Sequence, residues 1–243
     1  MTEDVPLRRE RDLGSIIGDS FTLLFAHFGA FAGIVFPAAV TSLAFSSLEI
    51  AFEGETFATL LIQIAAIVAY LIVFEFVRSA GVVFLDQVDQ QNRISSADAL
   101  DLAQARIGII SGAITRVALI SFVLTITIIG IPWAFLRLVR WSFISQMIML
   151  EDKRGDEVLS ASAELVHNFW WSTAGRLLVT GLITVIPNVI IPGMAGLASP
   201  IAGAFVGALL VFVIVPYGII STTLMYFHLK ERKARHDSIT SPD

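Results

Sequence analysis

Glu75, Arg78, Arg137 and Arg140 are ionisable residues set inside long apolar runs, and they have the first claim on any chemistry this chain performs. A charged side chain is costly in hydrocarbon unless it meets a partner or a wet cavity. Glu75 precedes Asp86 by eleven residues, and Arg140 precedes Glu151 by eleven. At 1.5 Å of rise per residue, each lies about 16 Å from its landmark, close to the middle of a bilayer. Equal depth and opposite sign predict an interhelical Glu75–Arg140 pair. Arg78, one turn from Glu75, offers an intrahelical pair instead, so both pairings are open. Arg137 is one turn beyond Arg140 on the same face, placed to snorkel to headgroups or to face a cavity. The same four residues fit either a structural network or a polar site for an anionic headgroup or solute.

Other chemistries find little support. The histidines, His27, His167, His228 and His236, are far apart, and no H-E-x-x-H, G-x-S-x-G or phosphate-cradling glycine loop occurs. Cysteine is absent, which excludes thiolate ligands and a cysteine nucleophile. We expect no catalytic residues, no metal and no cofactor, hence not an enzyme. The net charge of −5, without a basic stripe, argues against a nucleic-acid partner.

The elements that position these residues are membrane helices. Of 243 residues, 56% are hydrophobic and 15% charged, with a mean hydropathy of +0.79, too few charges to cover a water-facing surface. Apolar runs long enough to span lie near 22–48, 57–85, 107–130, 132–150, 172–191 and 200–228. Merging the third and fourth gives five spans, but would put the basic segment 230–235 across the membrane from Arg8, Arg9 and Arg11. The enrichment of basic residues in cytoplasmic flanks therefore favours six spans with both termini cytoplasmic. Trp133, Trp170 and Trp171 fall at expected interfaces, and Trp141 near mid-depth is the exception. The expected fold is all-α: a six-helix bundle over 21–228, preceded by a cytoplasmic segment and interfacial helix at 1–20 and followed by a basic cytoplasmic tail at 229–243. Gly29-x-x-x-Gly33 and Gly203-x-x-x-Gly207 fit close helix packing or incidental membrane glycine. Pro187 and Pro192 around Asn188, and Pro216, predict irregular fifth and sixth spans.

Three short amphipathic stretches precede pairs of spans. In 156–169, Val158, Leu159, Ser162, Leu165, Val166 and Phe169 share a face, while Ser160, Glu164 and His167 point away. Near the N-terminus, Ile16-Ile17, Ser20, Leu23 and Gly33 overlay on Val158-Leu159, Ser162, Leu165 and Gly175. A weaker copy lies at 96–110. Three parallel helix-hairpin repeats, or unrelated hairpins, both account for this. Ser162, Glu164 and His167 are candidate interfacial contacts.

LGSIIGDSFTLLFAHFGAFAGIVFP and GIPWAFLRLVRWSFISQMIMLEDKRGDEVLSASAELVHNFWWSTAGRLLV resemble the bacterial membrane domain of glycerophosphoryl diester phosphodiesterases. The resemblance rests on Pro132, Arg140-Trp141, Glu151, Val158-Leu159, Ser162, Leu165 and Trp170-Trp171, with Val158 where that family usually has alanine. It implies a bacterial cytoplasmic-membrane protein, here without the catalytic barrel. Two functions follow as expectations. One is handling or transport of a lipid or small anionic solute, with Glu75, Arg137 and Arg140 around a polar site. The other is a scaffold that recruits a membrane protein partner or anionic lipid through its interfacial helices and tail.

Overall fold

The computed structural model describes residues 6–51, 57–126 and 130–240, and among them every regular element is helical. In chain order these are α1 (Leu13–Ala26), α2 (Phe28–Ala51), α3 (Phe57–Asp89), α4 (Ser96–Gln104), α5 (Ile107–Ile126), α6 (Gly130–Arg140), α7 (Ile144–Glu151), α8 (Asp156–His167), α9 (Trp170–Gly196) and α10 (Pro200–Thr240). The expected acidic loop around Glu53 and Glu55, and the turn at 127–129, lie outside the described residues.

Four helices, α2, α3, α9 and α10, are long and apolar enough to cross a membrane, and the bent pair α4–α5, with a 67° bend, makes a fifth candidate. The predicted fourth span at 132–150 is not one helix. It is α6 of 11 residues and α7 of 8, separated by a turn at 141–143, and neither reaches the roughly 20 residues a crossing needs. Lipid explains the outward faces: Leu60, Leu61, Val68, Val185, Val189 and Leu209 are all exposed apolar residues on candidate spans. The core lies where α2, α3, α7 and α10 meet, with Phe31, Phe84, Phe143 and Tyr226 buried in it.

One end of the bundle, here the charged end, gathers the ionic residues. The described part of the expected tail at 229–243 is helical, because α10 runs unbroken to Thr240. Its 41 residues span about 60 Å, twice a hydrocarbon core. Residues 6–12 cross beneath α3 and α10 as a strap. The Leu7 N–H donates to Asp89, and Arg8 pairs with Asp86 at 2.8 Å and Asp89 at 2.7 Å. Arg11 is buried, donates to Asp19 at 2.8 Å and to the Leu7 carbonyl at 2.6 Å, and its backbone N–H donates to His228 Nδ1 at 2.9 Å.

The short helices start by side-chain capping where the sequence permits it. Asp12 accepts from the Ser15 N–H, and Ser95 forms a reciprocal capping box with Asp98. Each then buries one stripe. In α1 the buried residues are Ile16, Ser20, Leu23 and Leu24; in α8 they are Val158, Ser162, Leu165 and Val166; in α4 they are Ala99 and Ala103.

Each glycine pair contains one close approach, but only at Gly203 is it made to backbone. A Cβ on Gly203 would lie 3.0 Å from both the Gly196 Cα and the Pro192 carbonyl, backbone atoms that cannot swing aside. Gly33 abuts Ser96 of α4, whereas a Cβ on Gly29 would meet nothing within 4 Å. Gly203→Leu is therefore expected to separate α9 from α10 and lower stability by about 1–3 kcal/mol, while Gly29→Leu is tolerated; thermal unfolding in detergent distinguishes them.

The strap carries a second expectation. Burial, the largest influence, raises the pKa of Asp19, but hydrogen bonds and attraction from Arg11 and Arg9 outweigh it and hold the carboxyl below its usual range. A depressed folded value means the stabilisation is complete above the ordinary carboxylate pKa near ~4 and fades as pH falls through the folded value. Amide hydrogen exchange over residues 6–12 should accelerate, relative to the bundle, on acidification into that range, and Asp19→Asn should show the fast rate already at neutral pH.

Candidate functional site

The turn between α6 and α7 organises the polar interior. Ser142 Oγ donates back to the Val139 carbonyl at 2.9 Å, a local bond that competes with continuing the helix. The freed backbone groups are taken by side chains from other helices. Ser162 Oγ on α8 donates to the Arg140 carbonyl at 2.7 Å and accepts from the Phe143 N–H at 3.3 Å. Arg78 Nη2 on α3 donates to the Ser142 carbonyl at 2.7 Å. Below the turn, Ser145 Oγ donates to Glu75 Oε2 at 3.1 Å, and Arg106 Nη1 donates to the Ile148 carbonyl at 2.5 Å.

Glu75 is therefore engaged, but not as the matched depths predicted. Its carboxylate meets Arg78 at 3.3 Å within α3, the intrahelical alternative, and no Glu75–Arg140 pair forms. The reason is the broken helix: counting 1.5 Å per residue back from Glu151 fails once the chain turns at 141–143. Arg140 belongs to the charged end. The Trp170 indole N–H donates to the Leu136 carbonyl at 3.4 Å, which ties α6 to the start of α9. Arg140 opens onto a cleft with His167, Ser172, Trp170, Trp171 and Arg232. Arg137 lies over the Trp141 ring at 5.3 Å, which accounts for that tryptophan without placing it at mid-depth.

The three candidate interfacial contacts separate in the same way. Ser162 is fully buried in the turn, and Glu164 accepts from Lys233 at 2.6 Å. His167 Nδ1 contacts Asn168 Oδ1 at 2.9 Å on the cleft rim.

Above Arg78 the bundle is open. A cavity of about 410 Å³ lies between α3, α9 and α10, with Arg78 and Ser142 at one end, Thr184 and Thr222 on its sides, and Tyr70 and Asn188 at the other. A second cavity of about 440 Å³ continues from Tyr70, Asn188 and Val211 toward the far end, lined by Ser42, Ser46 and Glu49 of α2 and by Gly203 and Gly207 of α10. The two share those three residues, so they lie end to end with Asn188 at their junction, and together they are called the crevice. Three prolines shape its walls: Pro187 and Pro192 in α9 and Pro216 in α10, each removing a helical N–H. Tyr70, Thr184 and Thr222 had escaped notice in the sequence, where single polar residues in membrane helices carry no period. Among the described residues no group of three His, Asp or Glu side chains gathers to hold a metal.

Comparison with family models, with curated proteins and with solved structures finds no match for this chain.

Ser162 makes a sharp test of the turn. Ser162→Ala leaves the Arg140 carbonyl and the Phe143 N–H without their partner and is expected to cost about 1–3 kcal/mol. Ser160→Ala, on the exposed face of the same helix, is expected to be neutral by the same thermal assay.

Proposed function

We propose that this is a non-enzymatic membrane protein that handles a lipid or small amphipathic solute in the crevice between α2, α3, α9 and α10. The observation that carries the reading is the adjacency of the two cavities, which share Tyr70, Asn188 and Val211 and reach from the far end toward Arg78, the one arginine among the described residues that lines them. The walls of the inner cavity are mostly apolar with a few convergent polar groups, the usual make-up of a ligand site, while the outer cavity is the more polar of the two. Electrostatics narrows the expectation of a small anion. Glu49 stands at the mouth and Glu75 already partners Arg78, so a bare anion meets little net attraction. A molecule with an apolar body and a polar or phosphate-bearing head suits both the walls and Arg78.

In this reading the charged end faces the cytoplasm of a bacterial cell, by the distribution of Lys and Arg. The chain is three units, α1–α3, α4–α7 and α8–α10. Their support is the burial pattern: the stripe of α8 repeats that of α1 at a constant offset, Ile16 to Val158, Ser20 to Ser162, Leu23 to Leu165 and Leu24 to Val166. The middle unit enters and returns through the broken limb α6–α7, so both termini stay on one side. The resemblance to the membrane domain of glycerophosphoryl diester phosphodiesterases joins this reading through Ser162 and Leu165, both buried. A scaffold acting through Ser162 and Glu164 is less well supported, because one is inside the protein and the other is tied to Lys233.

Native mass spectrometry of the protein extracted gently from its own membrane is the test. A retained lipid or solute is expected, and Asn188→Leu, which alters the junction, should remove it without lowering the melting temperature. Retention unchanged in Asn188→Leu, or a protein carrying no small molecule, would overturn the reading.

A further inference from the structure

The arginines of the described residues divide into two groups. Arg8, Arg9, Arg11, Arg78, Arg106, Arg116, Arg154 and Arg235 each lie within ion-pair distance of a carboxylate. Arg93, Arg137, Arg140, Arg176 and Arg232 do not. Arg93 follows α3 on an exposed loop and Arg137 lies over the Trp141 ring, but Arg140 and Arg232 line one cleft at the charged end, and Arg176 is one turn along α9 from its lining residue Ser172.

That cleft, of about 490 Å³, is lined by Arg140, Arg232, His167, Ser172, Trp170 and Trp171. The Arg232 guanidinium is held over the Phe169 ring at 4.4 Å, which orients it without neutralising it. One turn deeper on each helix the positive character continues: Arg176 follows Ser172 on α9, and His228 precedes Arg232 on α10. Arg176 Nη1 and His228 Nε2 are both buried and have no hydrogen-bond partner. His228 is 4% exposed, and its Nδ1 accepts from the Arg11 N–H, so Nε2 carries the ring proton and is an unused donor. Arg176, Arg232 and Arg11 all act on this ring. The carboxylate that acts on Arg176 is Asp12, which lies beyond ion-pair distance.

The start of α9 adds to this field. Phe169 at its N-cap makes no side-chain cap, and no acidic residue stands in its first turn, so its first N–H groups keep their partial positive charge beside the cleft. Buried unpaired donors and clustered guanidinium groups are costly unless an anion meets them. Trp171, 83% exposed, and Leu136 form an apolar shoulder beside the charged groups. Indoles are comfortable at the level of lipid headgroups.

We propose that this cleft binds a phosphate group, carried by an anionic lipid headgroup or free in solution, with Arg140 and Arg232 as its two outer contacts. The site lies at the opposite end of the bundle from the crevice and stands whether or not the crevice holds a ligand.

The test uses the full chain in phosphatidylcholine vesicles doped with spin-labelled phosphatidylglycerol or, separately, spin-labelled phosphatidylcholine. The fraction of motionally restricted label reports association, and equilibrium dialysis of radiolabelled inorganic phosphate against the detergent-solubilised protein reports the free anion. Phosphatidylglycerol should be preferred, and R140Q with R232Q should lower that preference roughly fivefold for each arginine lost. R93Q, which removes one such charge elsewhere, should leave it unchanged. Phosphate retained in dialysis and lost in R140Q/R232Q assigns a soluble source to the same site; lipid preference without phosphate retention assigns the headgroup. Equal association of both lipids with no phosphate retained overturns the proposal. So does a roughly fivefold loss in R93Q, matching one arginine of the double variant, since general surface charge would then account for the preference.

Discussion

A broken helix inside an apolar bundle is the constraint from which the rest of this structure follows. Where α6 stops and α7 begins, the backbone between Arg140 and Phe143 loses helical partners in a region that offers it little water. Such groups must be satisfied by the protein itself. Ser162 supplies two bonds from α8 and Arg78 supplies one from α3. Three separated stretches of chain are thereby brought to one point, and their relative positions are set by hydrogen-bond geometry as well as by packing, which between apolar helices in lipid has no hydrophobic drive.

The two polar regions of the molecule are consequences of that junction. Arg78 is drawn to the Ser142 carbonyl, so its guanidinium ends at the floor of the crevice, with Glu75 balancing its charge. The same turn leaves Arg140 on the other side, at the charged end, facing Arg232 across the start of α9. The four charges that the sequence groups together, as a structural network or a polar site, are thus divided between two regions of different character. The crevice is apolar in its inner part and balances Arg78 with Glu75; the cleft is lined by Arg140 and Arg232 without a carboxylate.

The charged end is also where the helices are tied. Residues 6–12 link the ends of α3 and α10, while Lys230 and Tyr226 both donate to Glu151, at 2.9 and 2.5 Å. Burial, the largest influence, pushes Glu151 up, yet the bonds from Tyr226 and Lys230 and the nearby Lys153 leave its carboxyl below the usual range. Exposed ion pairs add little individually. Here they surround buried anchors such as Leu7 and Arg11, and it is the anchors that hold the strap in place. Toward the far end, α9 and α10 meet backbone to backbone at Gly203.

Composition and period settled a good part of this protein without any coordinates. Too few charges for a water-facing surface, apolar runs of span length and amphipathic stretches before pairs of them determined an all-helical membrane protein with short surface helices. The buried stripes of α1 and α8 could be read from Ile16, Ser20 and Leu23 against Val158, Ser162 and Leu165, because a helical face repeats in the sequence itself. What the sequence could not show was the turn at Trp141-Ser142-Phe143. It contains neither proline nor glycine, and its stability comes from Ser162 and Arg78, which are 19 and 64 residues away in sequence from the groups they bind. Depth counted along an assumed straight helix therefore misplaced Arg140, and with it the expected partner of Glu75. The kinds of charge present were written in the chain; which of them are neutralised and which stand open was decided by tertiary structure, because pairing depends on distances that only the packed helices define.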